Sequence, residues 1–140
     1  SSPKTVSTVF QIDKKYKIPT LVSSVLKYSG NPIVNVIVGY GIFYTNQYSI
    51  TTENNKIRCN KAFAIDNSYE PDIEILNDDG VTSPKLNPQN QFLTMIDKFC
   101  EGIKNIDNTE FADYNNIIKQ YTVMDAALRS WKENRSIVIS

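Results

Sequence analysis

The first 86 residues alternate apolar and polar side chains in short runs that end at turn-forming residues. Residues 5–12 place Val, Thr, Phe and Ile at every second position, which is the period of a strand with one buried face. Asn77-Asp78-Asp79-Gly80 is a turn of the Asp-Gly type that joins hairpin strands. The pattern predicts seven strands joined by turns, which favours an antiparallel meander, at residues 5–12, 20–28, 33–40, 44–50, 57–61, 72–76 and 81–86.

After residue 86 the apolar spacing changes to steps of three and four residues, the period of a helix. Asn87-Pro88 combines a capping residue with a proline at the first helical position, and so predicts a helix start. The apolar face of this first helix consists of Phe92, Ile96, Phe99 and Ile103.

A second helix is predicted from Phe111 or Ala112 to Glu133, with Asn134 as a left-handed stop. Residues 135–139 predict a final strand. The side chains of this helix that we expect to be buried are Ile117, Tyr121, Met124, Leu128 and Trp131.

This order of elements predicts a single α+β domain over residues 1–140, with a largely antiparallel sheet and two helices packed on one of its faces. Seven or eight strands and two helices leave the other face uncovered. Apolar side chains point to both sides of the third strand, as Ile33 and Ile37 alternate with Val34 and Val36. Because a large exposed apolar face normally marks a partner surface, we expect oligomerisation through it or docking against another domain.

The composition restricts the possible chemistry. The chain has 15 basic and 15 acidic residues and no histidine. The lack of histidine excludes Ser-His and Cys-His nucleophile pairs and histidine metal sites. A net charge of zero argues against a nucleic-acid surface, which normally shows a basic excess. We therefore expect a chain that is poorly equipped for catalysis on its own.

Two further features bear on the cellular compartment of the protein. Cys59 and Cys100 lie far apart and form no metal-ligand spacing, which predicts two buried, reduced thiols and a reducing compartment, the cytoplasm. The longest strictly apolar stretch, residues 36–44, is much shorter than the ~20 residues of a membrane helix. We expect neither a membrane span nor a secretory signal.

Glycine-rich phosphate loops, nucleophile elbows and metal-ligand motifs are absent from the sequence. Asp78-Asp79 is a pair of carboxylates, but its position beside Gly80 favours a solvated turn. The aromatic set Tyr40, Phe43, Tyr44 and Tyr48 could stack on bases. Because no basic residues are interleaved with these rings, a core or interface role is favoured.

Several segments resemble a known family. Residues 39–50, GYGIFYTNQYSI, resemble the segment of Gfo/Idh/MocA-type oxidoreductases in which a strand leads into a Tyr-x-Asn-x-Tyr-x-Ile strand. Residues 54–63 are similar to the family's G-x-[IL]-x-[VL]-x-[RK]-A-F stretch, most typical of its nucleotide-sugar 3-ketoreductase branch. Asn55 stands where the family usually has glycine, so a left-handed asparagine is expected there. Residues 90–99 and 124–130 resemble two helices of the family.

The resemblance implies that residues 1–140 correspond to the C-terminal domain of such an enzyme. The family's N-terminal Rossmann half carries the dinucleotide loop and the catalytic lysine, and neither motif is present in this sequence. The parent enzyme would use NAD or NADP for hydride transfer to or from a sugar or nucleotide-sugar, with no cofactor bound to this fragment and no catalysis by it alone. In the family this domain's sheet builds the homo-oligomer and its strand edges close the substrate pocket.

Within this resemblance, the polar and aromatic residues that cluster around the fourth and fifth strands are the candidate sugar contacts. These are Tyr44, Asn46, Tyr48 and Arg58. The competing interpretation of Arg58 is an exposed surface residue that binds no ligand. The alternative for the whole chain is a free-standing, non-catalytic binding or scaffold module that dimerises through its open sheet.

Overall fold

The structure is a computed structural model that describes residues 2–30, 32–63, 65–104 and 114–139. The strands in these ranges are β1 (Thr5–Ile12), β2 (Pro19–Lys27), β3 (Ile33–Gly39), β4 (Gln47–Thr51), β5 (Lys56–Asn60), β6 (Asp72–Asn77), β7 (Gly80–Thr82) and β8 (Ile137–Val138). The helices are α1 (Gln91–Lys104) and α2 (Tyr114–Glu133). The predicted α+β class is confirmed.

The strands form two antiparallel sheets of four strands each, where the pattern predicted one sheet. The first sheet has the order β3-β2-β1-β8 and the second the order β4-β5-β6-β7. The pairing of β2 with β3 continues to Tyr40, whose N donates to Thr20 O at 2.8 Å. The next residue, Gly41, has a φ of 72°. This backbone conformation favours glycine and turns the chain away from β2.

Contacts divide the chain into two compact units. The first unit comprises Ser1–Ile42 and Ala112–Ser140, and the second comprises Phe43–Phe111. The first sheet and α2 belong to the first unit, and the second sheet and α1 belong to the second unit. The predicted start of the second helix, at Phe111 or Ala112, lies outside the described residues.

The core of the first unit lies where α2 packs against β1 and β8. Val6, Leu26, Ala126 and Ile137 form this core, and Val6 has no exposed surface. Beside it, the Phe10 and Trp131 rings stack with their centroids 4.8 Å apart. Trp131 is therefore partly buried against the sheet, where the pattern predicted a core residue.

The face of α2 that contacts the sheet is not the predicted one. Ala126 and Ser130 are buried, with Val123 and Ala127 partly buried next to the core. Met124 is 57% exposed, so the prediction that it is a core residue is wrong. Ile117, Tyr121 and Leu128 are exposed as well. The small side chains of Ala126 and Ser130 at the contact allow the helix backbone to approach the sheet closely.

Hydrogen bonds satisfy the polar groups buried under α2. Ser130 Oγ accepts from Thr8 N at 2.9 Å and donates to Arg135 O at 2.7 Å. The hydroxyls of Thr8 and Ser24 lie 2.8 Å apart and form a further bond. Among the described residues no buried side-chain nitrogen or oxygen lacks a partner, which is the normal condition of a stable interior.

Two predicted turns are confirmed. Asn134 has a φ of 50° and ends α2, with Arg135 N donating to Ser130 O at 3.2 Å. Asn77 pairs with Gly80 at the end of the β6–β7 hairpin, where Asp79 N donates to Asn77 Oδ1 at 3.1 Å. These positions carry residues that tolerate the required backbone, so the local sequence was sufficient to locate them.

Two other local predictions are wrong. Helix α1 begins at Gln91 instead of after Asn87, because Asn90 provides the cap: its Oδ1 accepts from Leu93 N at 3.0 Å. Asn55 is not left-handed. The hydroxyl of Thr52 closes that turn instead, accepting from Asn55 N at 3.1 Å, so the backbone does not need a positive φ.

The second sheet has one apolar and one polar face. In the strand register, Tyr48 pairs with Cys59 and Cys59 with Ile73, which places these three side chains on the same face. Cys59 is buried, as predicted, but Cys100 on α1 is exposed, so the prediction of two buried thiols is wrong for Cys100. No helix in the described ranges is long and apolar enough to cross a membrane.

Candidate functional site

The amide of Asn46 connects the start of β4 to the segment after β5. Phe63 N donates to Asn46 Oδ1 at 2.8 Å, and Ala62 N donates to Asn46 O at 2.9 Å. Asn46 Nδ2 donates to Phe63 O and also to the Tyr44 hydroxyl, the latter at 3.0 Å. Asn46 therefore holds two chain segments together and orients Tyr44, so the structure brings these two predicted site residues into one cluster.

Tyr48 borders the same cluster from the apolar face of the second sheet. Its ring centroid lies 6.3 Å from that of Phe63, with the planes tilted by 50°. The pKa of the Tyr48 phenol is raised, chiefly by its electrostatic interaction with the neighbouring Cys59 side chain and to a smaller extent by burial and a hydrogen bond to Cys59. The raised pKa favours the protonated phenol, which can donate a hydrogen bond.

Arg58 lies on the opposite, polar face of the second sheet. It pairs with Ser49 on one side and with Glu74 on the other. Its guanidinium Nη1 lies 3.6 Å from Glu74 Oε2 in a half-exposed ion pair. The register therefore separates Arg58 from Tyr48, and the four predicted residues do not form a single site.

A cavity of about 270 Å³ opens in the second unit next to Tyr44. It is lined by Tyr44, Lys61, Ile65, Asp66 and Tyr69. Tyr44 reaches it from the segment before β4, and the other four residues come from the segment between β5 and β6. We call it the Lys61 cavity.

Lys61 is held in an unusual backbone conformation. Its φ is 52°, in the left-handed region that few non-glycine residues adopt. The ammonium lies 4.2 Å from the centroid of the Tyr69 ring, a distance at which cation and ring attract each other. None of the ion pairs among the described residues includes Lys61.

Asp66 is held in place by its own turn. Its Oδ1 accepts from Ser68 N at 2.9 Å and from the Ser68 hydroxyl, and Tyr69 N donates to Asp66 O at 3.0 Å. The Ser68 hydroxyl bond, followed by the Ser68 backbone bond, lowers the pKa of the Asp66 carboxyl. The Lys61 cavity thus contains one fixed cation and one fixed carboxylate.

Lys61, Asp66 and Tyr69 were not among the candidates that the sequence indicated. The Asp66-x-Ser68 spacing is a local signal for a turn in which the carboxylate caps the backbone. No local signal places this turn near Tyr44, because that proximity depends on the pairing of β4 with β5 and on the Asn46 amide.

The glycine segment at the end of β3 does not fit the phosphates of a nicotinamide dinucleotide. Gly39 is the last residue of β3, and no helix starts after Gly39-Tyr40-Gly41 to receive a pyrophosphate. A Cβ at Gly39 would lie 2.5 Å from Ile42 Cδ1 and 3.1 Å from Leu21 Cδ1, so this glycine accommodates side chains and not a phosphate. In the described ranges no three His, Cys, Asp or Glu side chains are grouped to hold a metal ion.

Comparison with known proteins gives matches in structure only. No family model matches the chain, and no curated protein matches its sequence. KijD10, a 3-ketoreductase from Actinomadura kijaniata in complex with NADP and TDP-benzene, matches 93% of this chain with 17% identity and a TM-score of 0.85. The putative oxidoreductase yvaA from Bacillus subtilis matches 99% with 14% identity and a TM-score of 0.71.

A third match is an oxidoreductase from Agrobacterium radiobacter in complex with NAD+, L-tartaric acid and magnesium, which matches 98% of this chain with 15% identity and a TM-score of 0.71. The chain spans 40%, 46% and 43% of these three proteins, respectively. It therefore has the fold of one part of KijD10 and of other oxidoreductases, which confirms at the level of the fold the resemblance identified in the sequence.

Proposed function

We propose that this chain is the C-terminal substrate-binding and oligomerisation domain of an NAD(P)-dependent oxidoreductase that acts on a sugar or nucleotide-sugar. The observation that carries the proposal is the match to KijD10 over 93% of the chain. That protein is a 3-ketoreductase crystallised with NADP and TDP-benzene, a nucleotide ligand. A cytoplasmic location is part of the same proposal.

In this proposal the nicotinamide cofactor is bound by a part of the parent protein outside these 140 residues. When bound there, NAD or NADP supplies or accepts the hydride. The present chain holds the sugar, with Tyr44 as a direct contact at the Lys61 cavity and Asn46 as the residue that positions it. Tyr48 and Arg58 stay predicted contacts, on opposite faces of the second sheet.

Titration of the 140-residue chain with TDP-glucose and, separately, with NADPH tests this division of roles. We expect saturable binding of TDP-glucose and no saturable binding of NADPH, because the chain has no dinucleotide loop. Isothermal calorimetry measures the first ligand, and nucleotide fluorescence the second. Saturable binding of NADPH at micromolar concentration would contradict the proposal. If neither ligand binds and the chain dimerises, the non-catalytic scaffold module is the better interpretation.

The face of the first sheet opposite α2 supports the oligomerisation part of the proposal. Val9, Ser23 and Ile37 lie in one row across β1, β2 and β3, and Val9 and Ile37 are 71% and 69% exposed. Ile33 and Val138, also on this face, are exposed as well. Covering such side chains with a second copy would remove apolar surface from water.

A pair of adjacent substitutions in β3 tests this interface. Ile37→Lys places a charge on the open face, and Val38→Lys places the same charge on the other face at similar exposure. We expect Ile37→Lys to raise the dimer dissociation constant by about tenfold or more, and Val38→Lys to leave it unchanged. Sedimentation equilibrium measures both. Equal weakening by the two variants, or a monomeric unmodified chain, would refute the interface.

A further inference from the structure

We propose that the Lys61 cavity binds a sugar ring that carries a negatively charged group, either a phosphate ester or a carboxylate. This inference rests on the proposed function and deepens it by naming the part of the substrate that this cavity holds. The cavity volume of about 270 Å³ lies just below the range of roughly 300 to 1,000 Å³ for ligand pockets. It suits one substituted ring better than a complete nucleotide-sugar.

The charged group is assigned to Lys61. Its ammonium interacts with the Tyr69 ring at 4.2 Å and takes part in none of the ion pairs found among the described residues. An aromatic ring fixes the position of the cation without neutralising its charge. The ammonium can therefore bind an anion, and lysine binds phosphate and carboxylate groups as a point charge.

The hydroxyl groups of the ring are assigned to Asp66. Both bonds from Ser68 end on Oδ1 of this carboxylate, so Oδ2 is the atom that can accept from a ligand hydroxyl. The lowered pKa of Asp66 keeps the acceptor ionised. Since a carboxylate repels a second anion, the charged substituent must lie towards Lys61 and the neutral hydroxyls towards Asp66.

The carbon face of the ring is assigned to the two tyrosines. Tyr44 and Tyr69 line the cavity from two different segments of the chain. Aromatic rings of this kind offer a large apolar contact with a polar tip, which matches the mixed apolar and hydroxyl surface of a sugar. Ile65 adds an apolar contact on the same wall.

The cavity is organised before a ligand arrives. Asn46 links the segment of Tyr44 to the residues that directly follow Lys61, through its bonds to Ala62 N and Phe63 N. The left-handed backbone of Lys61 therefore lies between β5 and the two residues, Ala62 and Phe63, that Asn46 binds. These contacts fix the backbone on both sides of Lys61 and thereby limit the positions that its ammonium can reach.

Titrations of the 140-residue chain with glucose 1-phosphate, glucuronate, glucose and inorganic phosphate test the assignment. Calorimetry gives affinities, and tyrosine ring resonances locate binding. The test variant is Lys61→Gln. Lys17→Gln is the matched control, because Lys17 is an exposed lysine in the β1–β2 turn with a φ of 58°. If Lys61→Gln does not fold, Tyr69→Leu replaces it as the test variant.

We expect at least one of the two charged sugars to bind about fivefold or more tightly than glucose and than inorganic phosphate. Lys61→Gln should weaken that binding by about fivefold, the upper range for an exposed ion pair, and Lys17→Gln by less than about twofold. Whichever charged sugar binds identifies the group as phosphate or carboxylate. The assignment would be overturned if glucose or inorganic phosphate bound as tightly as the charged sugars. It would also be overturned if Lys61→Gln and Lys17→Gln had equal effects on binding.

Failure of the cavity assignment and failure of the proposed function give different binding results. If TDP-glucose binds the chain but Lys61→Gln does not weaken it, the cavity assignment is refuted and the proposed function stands. If TDP-glucose does not bind while a charged sugar binds at Tyr44 and Tyr69, the nucleotide-sugar function fails and the cavity assignment stands.

Discussion

Replacing Ala126 by glutamate is expected to unfold the first unit. Ala126 is 3% exposed and packs in the core with Val6, Leu26 and Ile137. A carboxylate at this position would be buried among apolar groups and too large for the space, and the expected loss is about 4 kcal/mol or more of the free energy of unfolding. Trp131, the single tryptophan of the chain, stacks on Phe10 in this unit, so urea unfolding followed by its fluorescence measures the effect.

Met124→Glu is the matched control, two residues earlier on the same helix. Met124 is 57% exposed, so the same charge there should change the free energy of unfolding by about 0.5 kcal/mol at most. If Met124→Glu were the more destabilising variant, α2 would pack through the face that the apolar pattern predicted, and the observed orientation of the helix would be refuted.

The second large effect is expected for Ser130→Ala. The Ser130 hydroxyl is the partner of both Thr8 N and Arg135 O, and the residue is 2% exposed. Removing the hydroxyl leaves the buried Thr8 amide and the Arg135 carbonyl without this partner. The free energy of unfolding should fall by about 2 kcal/mol as a result. Hydrogen exchange of the Thr8 amide should accelerate by a larger factor than that of its neighbours in β1, because this amide loses its acceptor directly.

Ser136→Ala provides the comparison. Ser136 also bonds to β1: it accepts from the Ser7 hydroxyl at 2.9 Å in a solvent-exposed bond and donates to Val6 O at 3.5 Å, the upper limit for a hydrogen bond. Because water can replace the first bond and the second is long, the expected loss is below about 1 kcal/mol. Equal losses in Ser130→Ala and Ser136→Ala would show that burial of the Ser130 hydroxyl adds nothing.

The elements of the fold were largely predictable because they depend on local spacing. The run at Thr5–Ile12 was predicted with both boundaries correct, since alternation over eight residues fits a strand and no other regular structure. The end of α2 at Glu133 and the left-handed Asn134 were also correct. The start of α1 was misplaced because Asn87 and Asn90 are both good caps, and only the bond to Leu93 N decides between them.

The candidate site was predictable only in part. Tyr44 and Asn46 were identified, within the family resemblance, because polar and aromatic residues cluster near β4 and β5, and the structure joins these two residues by a hydrogen bond. Lys61, Asp66 and Tyr69 carry no distinctive local pattern. Their proximity to Tyr44 comes from pairing between β4 and β5 and from one asparagine amide.

The strand and helix periods and the turn residues can be identified from one short segment of the sequence at a time. The absence of histidine and of a dinucleotide loop can likewise be seen without the tertiary structure. The periods and turns were sufficient to predict the α+β class and most element positions. The division into two sheets, the small-residue face of α2 and the Lys61 cavity were decided only by the tertiary structure. Each depends on how closely distant segments approach, and that distance is set by side-chain size and strand register, which local hydrophobicity does not encode.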